Sequence, residues 1–515
     1  NYVSYRVRSV DKQKHDVKLS VEAGAEWALD YAIDEFAEAE TYGKGDLLFA
    51  RTGNVRQDVL WKAGDNVRID WGWFYLAAEK EGSSMRALPG GDIAFERNLG
   101  SVAKAEGKFM VGYDDVYSIQ FFGQNLRPYW NEEGKSSIEK AFKAALADYE
   151  VLMEESRSFD ADLLARAEAA GGREYAELCA LAYRQAIHAH KLVRLPNGEL
   201  GFFSKENNSN GSIGTVDVTY PSVPLFFIYN RELVKAMLNF IFYYSETGRW
   251  NKPYPAHDVG TYPLANGQTY GNDMPVEEAG NMLTMTAAIC RYDGNADYAR
   301  RHWKALTLWV KYLEQFGLDP ENQLCTDDFA GHFAHNVNLS AKAIMGIACY
   351  GYMAGLLGDE ELASEYAKKA REMAAEWKRM ADDGDHYRLT FDKPDTWSQK
   401  YNIIWDKLLG LEIFPDEVMR KEIAYYLRMQ QVYGLPLDKR ESYTKTDWII
   451  WTAAMAESQD DFRALVSPMY KFYNETVDRI PMGDWVWTDK PERVNFKARS
   501  VVGGIFMKML AYENK

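Results

Sequence analysis

The hydrophobic pattern of the chain changes its period near residue 134, and this change limits the possible folds most strongly. Before it, apolar and polar residues alternate, as in residues 2–7, 16–21 and 67–71. Alternation with a period of two is typical of strands with one buried face. After it, apolar residues recur every three or four positions, as in amphipathic helices. The sequence therefore predicts an antiparallel β-sandwich over residues 1–133, followed by a helical region.

About eleven helices are expected beyond residue 160, and glycine or proline often separates them. They cover roughly residues 173–192, 225–245, 276–293, 297–316, 338–357, 360–382, 399–409, 415–430, 446–457, 459–475 and 499–513. Paired antiparallel helices in this number suit a toroid of six helical hairpins. A helical-repeat solenoid is the alternative, but it would show a fixed repeat period. We therefore expect a helical linker at 134–160 and an (α/α)6 barrel at 161–515.

The composition narrows the choice of partners. The 515 residues carry a net charge of −16, which repels phosphate backbones and argues against a nucleic-acid partner. No apolar run approaches the roughly 20 residues that cross a bilayer, so no membrane span is expected. Aromatic residues make up 14% of the chain, and such rings line pockets for small polar ligands. The expected partner is therefore a small-molecule substrate.

The cysteines and the first residues give two further expectations. The four cysteines form no CxxC pair, so we expect buried thiols rather than a zinc site or a redox motif. The chain opens at Asn1 without a leader and reads as a strand at once. A mature or trimmed polypeptide is therefore expected, with an N-terminally incomplete sandwich.

Four long loops between the expected helices carry most of the reactive polar side chains. They cover residues 194–222, 247–275, 317–337 and 431–445. Compact domains usually connect their elements with a few residues, so such lengths are unusual. Loops that follow alternate helices of a toroid gather at one mouth, and functional residues concentrate on such loops. We expect the active site there, in the barrel rather than in the sandwich.

The first candidates are carboxylates in the loop at 194–222. Glu206 is followed by amide side chains and glycine, and Asp217 lies further along the same loop. A carboxylate oriented by such donors acts as a nucleophile or a general base. The alternative is a solvated turn in which Asp217 caps the next helix. Glu206 suits the ionised role, because the neighbouring donors favour the anion.

Two pairs of adjacent candidates follow, and the second of them, Glu277 and Glu278, is assigned to catalysis. His257 and Asp258 lie together in a loop punctuated by proline and glycine, where the histidine suits donation to a substrate oxygen and Asp258 suits accepting a hydrogen bond. Glu277 and Glu278 follow a proline that begins a helix. Acidic residues in a first turn suit the helix dipole, which explains one of them. Two adjacent carboxyls repel, and this raises the pKa of one.

The loop at 317–337 contains Asp327 and Asp328, which are catalytic candidates, and His332, which is assigned to substrate binding. Two adjacent aspartates followed by an aromatic residue suit a general acid, because repulsion keeps one of them protonated. Oxygen ligands for calcium are also present, but their spacing is not that of an EF-hand, so no metal is expected.

The remaining candidates lie near the C-terminus and are assigned to substrate binding. They are Arg440, Asp447, Trp448 and Arg499. Asp447 opens an apolar helix, so a plain helix-dipole role is its alternative.

Several catalytic motifs are missing. The chain has no GxSxG elbow and no SxxK followed by KTG, so a serine amidase of known local pattern is not indicated. It has no glycine-rich phosphate loop either, and no cofactor is expected.

The sequence resembles the glutaminase A family over essentially its whole length. The strings that carry this resemblance are residues 113–128, 257–258, 274–278, 326–331, 397–402 and 443–448. The resemblance implies a β-sandwich followed by a six-hairpin barrel, and hydrolysis of L-glutamine to glutamate and ammonia. It also implies secretion, so the expected location is secreted or periplasmic.

Two loops also resemble those of non-lysosomal β-glucosidases of the glucosylceramide type. Glu206 lies eleven residues before Asp217 in a Thr-x-Asp-Val string, and a Pro-Ala-His-Asp-Val-Gly string contains His257. This resemblance implies that Glu206 matches the nucleophile, and that Asp217 and His257 match sugar-contacting residues. The match then breaks, because His332 stands where that family has its acid. Asp327 or Asp328 would have to take the acid's role.

Three functions follow from the sequence. The first is a secreted hydrolase of the glutaminase A type that acts on a small polar substrate. The second is an exo-acting glycoside hydrolase with two carboxylates, and the third is a non-catalytic glycan-binding protein. Glutamine would need an arginine such as Arg440 or Arg499 for its carboxylate and an acid such as Asp258 for its ammonium. A glycosidase needs two opposed carboxyl groups instead.

Overall fold

The computed structural model describes residues 1–31 and 36–514. The chain divides into two compact units, Asn1–Arg157 and Ser158–Lys515. Each unit has a core of its own.

The first unit is built of strands that run antiparallel to their neighbours. They are β1 (Tyr2–Arg8), β2 (His15–Ala23), β3 (Ala37–Lys44), β4 (Leu47–Asn54), β5 (Trp73–Glu79), β6 (Ser83–Ala87), β7 (Ile93–Val102), β8 (Lys104–Asp114), β9 (Ile119–Phe121) and β10 (Gln124–Leu126). One sheet has the strand order β1-β8-β5-β4-β3, and a second has the order β2-β7-β6.

Apolar side chains from the two sheets form a shared core. It contains Ala50 and Leu76 from one sheet, and Ile93 and Phe95 from the other. The opposite face of the larger sheet packs against Phe142 of helix α1 (Ile138–Gly171). This unit is the predicted antiparallel sandwich. Helix α1 is longer than its apolar pattern predicts, because helix-forming Ala, Glu, Lys and Arg continue without glycine or proline to residue 169.

The second unit consists mainly of helices. They are α2 (Arg173–His188), α3 (Val216–Tyr229), α4 (Arg231–Glu246), α5 (Pro275–Asp293), α6 (Asp297–Arg301), α7 (Trp303–Phe316), α8 (Val337–Leu356), α9 (Glu360–Ala381), α10 (Ile404–Leu409), α11 (Asp416–Met429), α12 (Thr446–Ala454), α13 (Gln459–Glu475) and α14 (Met507–Glu513). Short strands lie in its loops: β11 (His190–Arg194), β12 (Leu200–Ser204), β13 (Leu264–Ala265), β14 (Tyr443–Lys445) and β15 (Trp485–Trp487).

The helices form two concentric rings. The outer helices α2, α4, α7, α9, α11 and α13 bury one face each, as their amphipathic sequences predict. The inner segments α3, α5, α8, α10, α12 and α14 are largely buried. Each inner segment contacts the next, and the turn before α14 closes the ring on α3. The predicted (α/α)6 barrel is confirmed.

The predicted helix list needs a correction near residue 230. Residues 225–245 were expected to form a single helix, but the chain breaks at Asn230 and α3 precedes it as a separate inner helix. Pro221 and Pro224 lie inside α3, and prolines argue against a helix when only the sequence is read. The helix forms because nearly all its side chains are buried by neighbouring helices.

The last inner segment begins as a 3-10 helix at Ser500–Phe506 rather than as an α-helix. A side chain at Gly503 would meet the carbonyl oxygen of Ser222 at 2.4 Å, and one at Gly504 would meet that of Pro221 at 2.7 Å. The two glycines therefore allow the backbones to approach closely where the ring closes.

One helix, α8, has the length and the apolar composition of a bilayer-crossing segment, which the sequence analysis did not anticipate. Of its most apolar 18-residue window, 83% is buried inside the fold, as expected for an inner helix of the barrel. All four cysteines are buried free thiols, as predicted.

Candidate active site

A cavity of about 370 Å³ opens beside the N-terminal turns of α3, α12 and the 3-10 segment Ser500–Phe506, and beside loops that precede inner helices. Its walls include residues Glu206, Ser209, Asn210, Asp217, His257, Tyr270, Cys325, Thr326, Asp328, Phe329, Lys445, Asp447, Trp485, Phe496 and Arg499. Helix N-termini carry partial positive charge, so this cavity stabilises anionic groups.

Glu206 lies just beyond strand β12, and a local hydrogen-bond network fixes it. Its backbone N–H donates to the Ser212 carbonyl at 3.0 Å. Its carboxylate accepts from Ser209 Oγ at 2.6 Å and from Thr215 Oγ1 at 2.9 Å. Arg499 Nη1 is 3.7 Å from the same carboxylate. Two hydroxyl donors and one guanidinium therefore stabilise a negative charge on Glu206.

Asp217, in the first turn of α3, faces His257. Asp217 Oδ1 lies 3.6 Å from His257 Nε2, while His257 Nδ1 lies 2.9 Å from Asp258. Burial alone would lower the pKa of His257, but Asp258 and Asp217 outweigh it and raise this pKa to about 9. Burial raises the pKa of Asp217 to about 6, although the positive charge of His257 acts to lower it. Tyr270 stacks on the imidazole with a centroid distance of 4.2 Å.

Asp258 organises its own loop instead of facing the cavity. It is fully buried, and it accepts from the backbone N–H groups of Gly260 at 2.8 Å and Thr269 at 3.1 Å, as well as from His257. The structure therefore places Asp258 behind the cavity wall rather than on it, where the predicted substrate contact would need it. Backbone bonds between residues 213 and 259–260 join this loop to the Glu206 loop, so the two loops are positioned together.

The adjacent aspartates Asp327 and Asp328 have different surroundings. Asp328 lines the cavity, and burial followed by repulsion from Asp327 raises its pKa to about 7. Asp327 turns away and accepts from Cys325 Sγ at 2.8 Å and from Asn338 Nδ2 at 3.2 Å. Of the two, Asp328 therefore has the position and the protonation of a general acid.

Glu277 and Glu278 are buried in the first turn of α5 and do not line the cavity. Glu277 forms an ion pair with buried Lys342 and accepts a hydrogen bond from Thr326. Burial, followed by the charge of Asp217, raises the pKa of Glu278 well above its ordinary value. Their assignment as catalytic groups is corrected, because neither meets the cavity. Glu277 supports the cavity wall through Thr326.

A charged network lies beside Glu206. Arg499 pairs with Asp484 at 2.7 Å, and Lys445 lies 2.8 Å from Asp484 and 3.1 Å from Asp447. Burial would raise the pKa of Asp484, but Arg499 and Lys445 outweigh it and hold this pKa at about 2. Burial raises the pKa of Asp447. The guanidinium of Arg499 thus already has an anionic partner within the protein.

Three other predicted substrate contacts are also corrected. His332 is exposed on its loop, 2.6 Å from Asn322. Arg440 pairs with Asp438 at 2.6 Å and donates to the carbonyl oxygen of Asp327, so it braces the loop from behind. Trp448 is fully buried and stacks on Tyr401 at 3.9 Å. All three side chains lie outside the cavity wall, and each contacts another protein side chain instead.

The structure adds cavity groups that the sequence analysis did not single out. They are Ser209, Tyr270, Lys445, Trp485 and Phe496, with Asp484 behind them. Ser209 lies in the amide-rich loop already chosen for Glu206, so its position could have indicated it. Trp485 and Phe496 come from the connection at 476–499. This connection contains no pair of adjacent acidic residues, which was one of the signals used to choose the other loops.

One group of side chains has ligand types that suit a metal ion. The ligand atoms of Glu206, Asp217 and His257 lie within 4.8 Å of one another. The pKa of about 9 for His257 means that the imidazole carries a proton near neutral pH, and this proton competes with a metal.

Comparison with known proteins identifies the family. Residues 172–509 match the glutaminase A six helical-hairpin domain. The chain belongs to the glutaminase A family. Residues 1–92 and 90–166 match a domain of unknown function, DUF5127.

Two curated relatives of this glutaminase A family chain are named as glutaminases. Glutaminase A of Aspergillus oryzae is 30% identical over 99% of this chain and 80% of its own length. A probable glutaminase of Arthroderma benhamiae is 28% identical over 66% of this chain, and the match spans half of that relative. The chain is therefore a hydrolase of the six-hairpin type.

A solved structure supports the fold. It is a metal-independent α-mannosidase of Streptococcus pneumoniae in complex with α-1,6-mannobiose. The TM-score is 0.51 at 10% identity, with 70% of this chain and 98% of that chain covered. At this identity the likeness concerns the arrangement of helices alone.

Proposed function

We propose that this chain is an exo-acting glycoside hydrolase that uses Glu206 and Asp328 as its two carboxyl groups. One observation carries the proposal: the cavity contains one carboxylate surrounded by donors and one carboxyl whose pKa is raised to about 7. Hydrolysis of a bond between two sugars needs this division of roles, because a sugar alkoxide is a poor leaving group until its oxygen receives a proton.

In this proposal Asp328 donates its proton to the glycosidic oxygen, and Glu206 stabilises or attacks the sugar carbon on the other side. Asp217 and the imidazolium of His257 hold sugar hydroxyls, since both line the cavity, the first on helix α3 and the second on a buried loop. A cavity of about 370 Å³ that opens at one mouth of the barrel favours cleavage at a chain end over a chain that passes through.

The arrangement gives less support to the α-amino-acid recognition that glutamine requires. Asp258 has its oxygens occupied by the loop, Arg440 lies outside the cavity, and the Arg499 guanidinium is paired with Asp484. A glutamine carboxylate would have to compete with Asp484 for this cation.

L-Glutamine hydrolysis is nevertheless the second candidate, and one contact favours it besides the names of the relatives. Ser209 Oγ donates to Glu206 at 2.6 Å, and a hydroxyl bonded to a carboxylate base is a possible nucleophile for an amide. The neighbouring thiol of Cys325 does not suit this role, because burial and then Asp327 raise its pKa well above the ordinary value.

A substrate panel separates the two candidates. Purified protein is assayed with 4-nitrophenyl α- and β-glycosides of common sugars and with L-glutamine, and sugar and ammonia release are measured in parallel. We expect sugar release that the Glu206→Gln variant loses by about 10²–10⁴-fold. Ammonia release without sugar release would reject the glycosidase and favour the Ser209 mechanism. A location outside the cytoplasm, secreted or periplasmic, is part of this proposal.

A further inference from the structure

Three aromatic rings form one wall of the cavity beside Asp328. Phe329, Trp485 and Phe496 are partly exposed and come from two different loops. Their ring centroids are 4.9 Å apart for Phe329 and Trp485, 5.1 Å for Trp485 and Phe496, and 5.8 Å for Phe329 and Phe496. This aromatic wall is a continuous apolar surface inside an otherwise charged cavity.

The backbone holds the aromatic wall in place. Trp485 belongs to strand β15 and pairs with Lys445 of β14. The Val494 N–H donates to the Trp485 carbonyl at 2.9 Å, and the Asp484 N–H donates to that of Phe496 at 3.2 Å. The backbone at Trp485 and Phe496 is therefore fixed without a bound ligand, which lowers the entropy cost of binding one.

The position of the wall relates it to the leaving group. Phe329 directly follows Asp328, the group that we propose protonates the leaving oxygen. Asp328 and the three rings line the same cavity, so a leaving group that Asp328 protonates would have the rings within reach. The Arg499 guanidinium lies 4.4 Å from the Phe496 centroid, and Lys445 Nζ lies 5.6 Å from that of Phe329. Polar donors therefore border the apolar surface.

We propose that the aromatic wall binds a second sugar ring as the leaving group, so that the substrate is a disaccharide or the end of an oligosaccharide. A pyranose has an apolar C–H face that suits the rings, and its edge hydroxyls both donate and accept hydrogen bonds, which suits a border of paired cations and carboxylates. Ammonia, the leaving group from glutamine, has no apolar face, so the rings would make no favourable contact with it. This inference rests on the proposed glycosidase function and names its substrate class.

The test compares leaving groups that carry the same terminal sugar. The probes are methyl α- and β-glycosides of glucose, galactose and mannose, each paired with a disaccharide of the same terminal sugar and linkage. For the sugar that is cleaved, kcat/KM is measured on both members of the pair. We expect the disaccharide to exceed the methyl glycoside by about tenfold or more in the wild-type protein.

Trp485→Ala should reduce this ratio by about tenfold, whereas Trp485→Phe should retain most of it. Trp487→Ala is the matched control, because Trp487 lies on the same strand and contacts the same tyrosine, Tyr443, without lining the cavity. It should leave the ratio unchanged.

Two results would overturn the inference on its own: equal rates on both probes in the wild type, or an equal loss on both in Trp485→Ala. A wild-type protein that cleaves no glycoside in the panel would reject the proposed function, and the sugar-binding role of the wall with it.

Discussion

At the scale of single residues, the surroundings of a carboxyl group decide its role more than its position in the sequence does. Asp327 and Asp328 are neighbours in the sequence, yet Asp327 accepts a hydrogen bond from Asn338, whereas burial raises the pKa of Asp328. The sequence predicts that one of such a pair is protonated, because like charges repel. It cannot tell which one, because that depends on Asn338 of the next helix.

Asp328 should impose a limit on activity at high pH. A general acid works only when protonated, so activity is present below a pKa of about 7 and falls as the pH rises through it. Asp328→Asn should lower kcat by about 10²–10⁴-fold and remove this alkaline limb. The measurement is kcat against pH for both proteins on the sugar substrate. An unchanged alkaline limb in Asp328→Asn would assign it to another group.

Ser209 distinguishes the two chemistries. In a glycosidase it only helps to hold Glu206, which keeps Thr215 and Arg499 as partners. Ser209→Ala should then cost less than about tenfold in kcat, the value of one hydrogen bond. Steady-state kinetics on the best substrate of the panel checks this. A loss of about a thousandfold or more, with normal folding, would mark Ser209 as a nucleophile.

At the scale of elements, buried ion pairs join the inner helices. Glu277 of α5 and Lys342 of α8 are almost completely inaccessible and pair across the helix interface. Lys342 does not stand out in the sequence, since it lies in an apolar helix without a neighbouring acid. Glu277 was predicted to be catalytic because its ion-pair partner, Lys342, lies 65 positions away and could not be recognised as a partner in the sequence. Such partners cannot be found without the tertiary fold.

Lys342→Met should strongly destabilise the fold, because it leaves the Glu277 carboxylate buried and unpaired. We expect a loss of about 3–5 kcal/mol in unfolding free energy, measured by urea denaturation. The double variant Lys342→Met/Glu277→Gln should recover much of this loss.

The control for that experiment is Lys378→Met, which breaks the more exposed pair with Glu417. An exposed pair contributes about 0–1 kcal/mol, so little change is expected. If Lys342→Met proved as mild as this control, the buried pair would not support the helix interface.

At the scale of the whole molecule, much of the architecture follows from the period of the sequence. Alternation predicts the sandwich, and paired helical patterns predict the barrel, because each period buries one face of its element. Helix α3 was missed because its prolines break the pattern, although tertiary burial maintains the helix. The loops of the site were also predicted, but not which side chains turn inward. Asp258, Trp448 and Arg440 turn to protein partners instead.

The central claim is that Glu206 and Asp328 divide the work of breaking a glycosidic bond. The most direct measurement is kcat/KM of the wild type and Asp328→Asn on two glycosides of one sugar, a 2,4-dinitrophenyl glycoside and a disaccharide. Dinitrophenolate leaves without a proton, whereas a sugar alkoxide needs one. We predict that Asp328→Asn loses about 10²–10⁴-fold on the disaccharide and much less on the dinitrophenyl glycoside. Equal losses on both substrates would contradict the role of Asp328 as the acid and, with it, this account of the site.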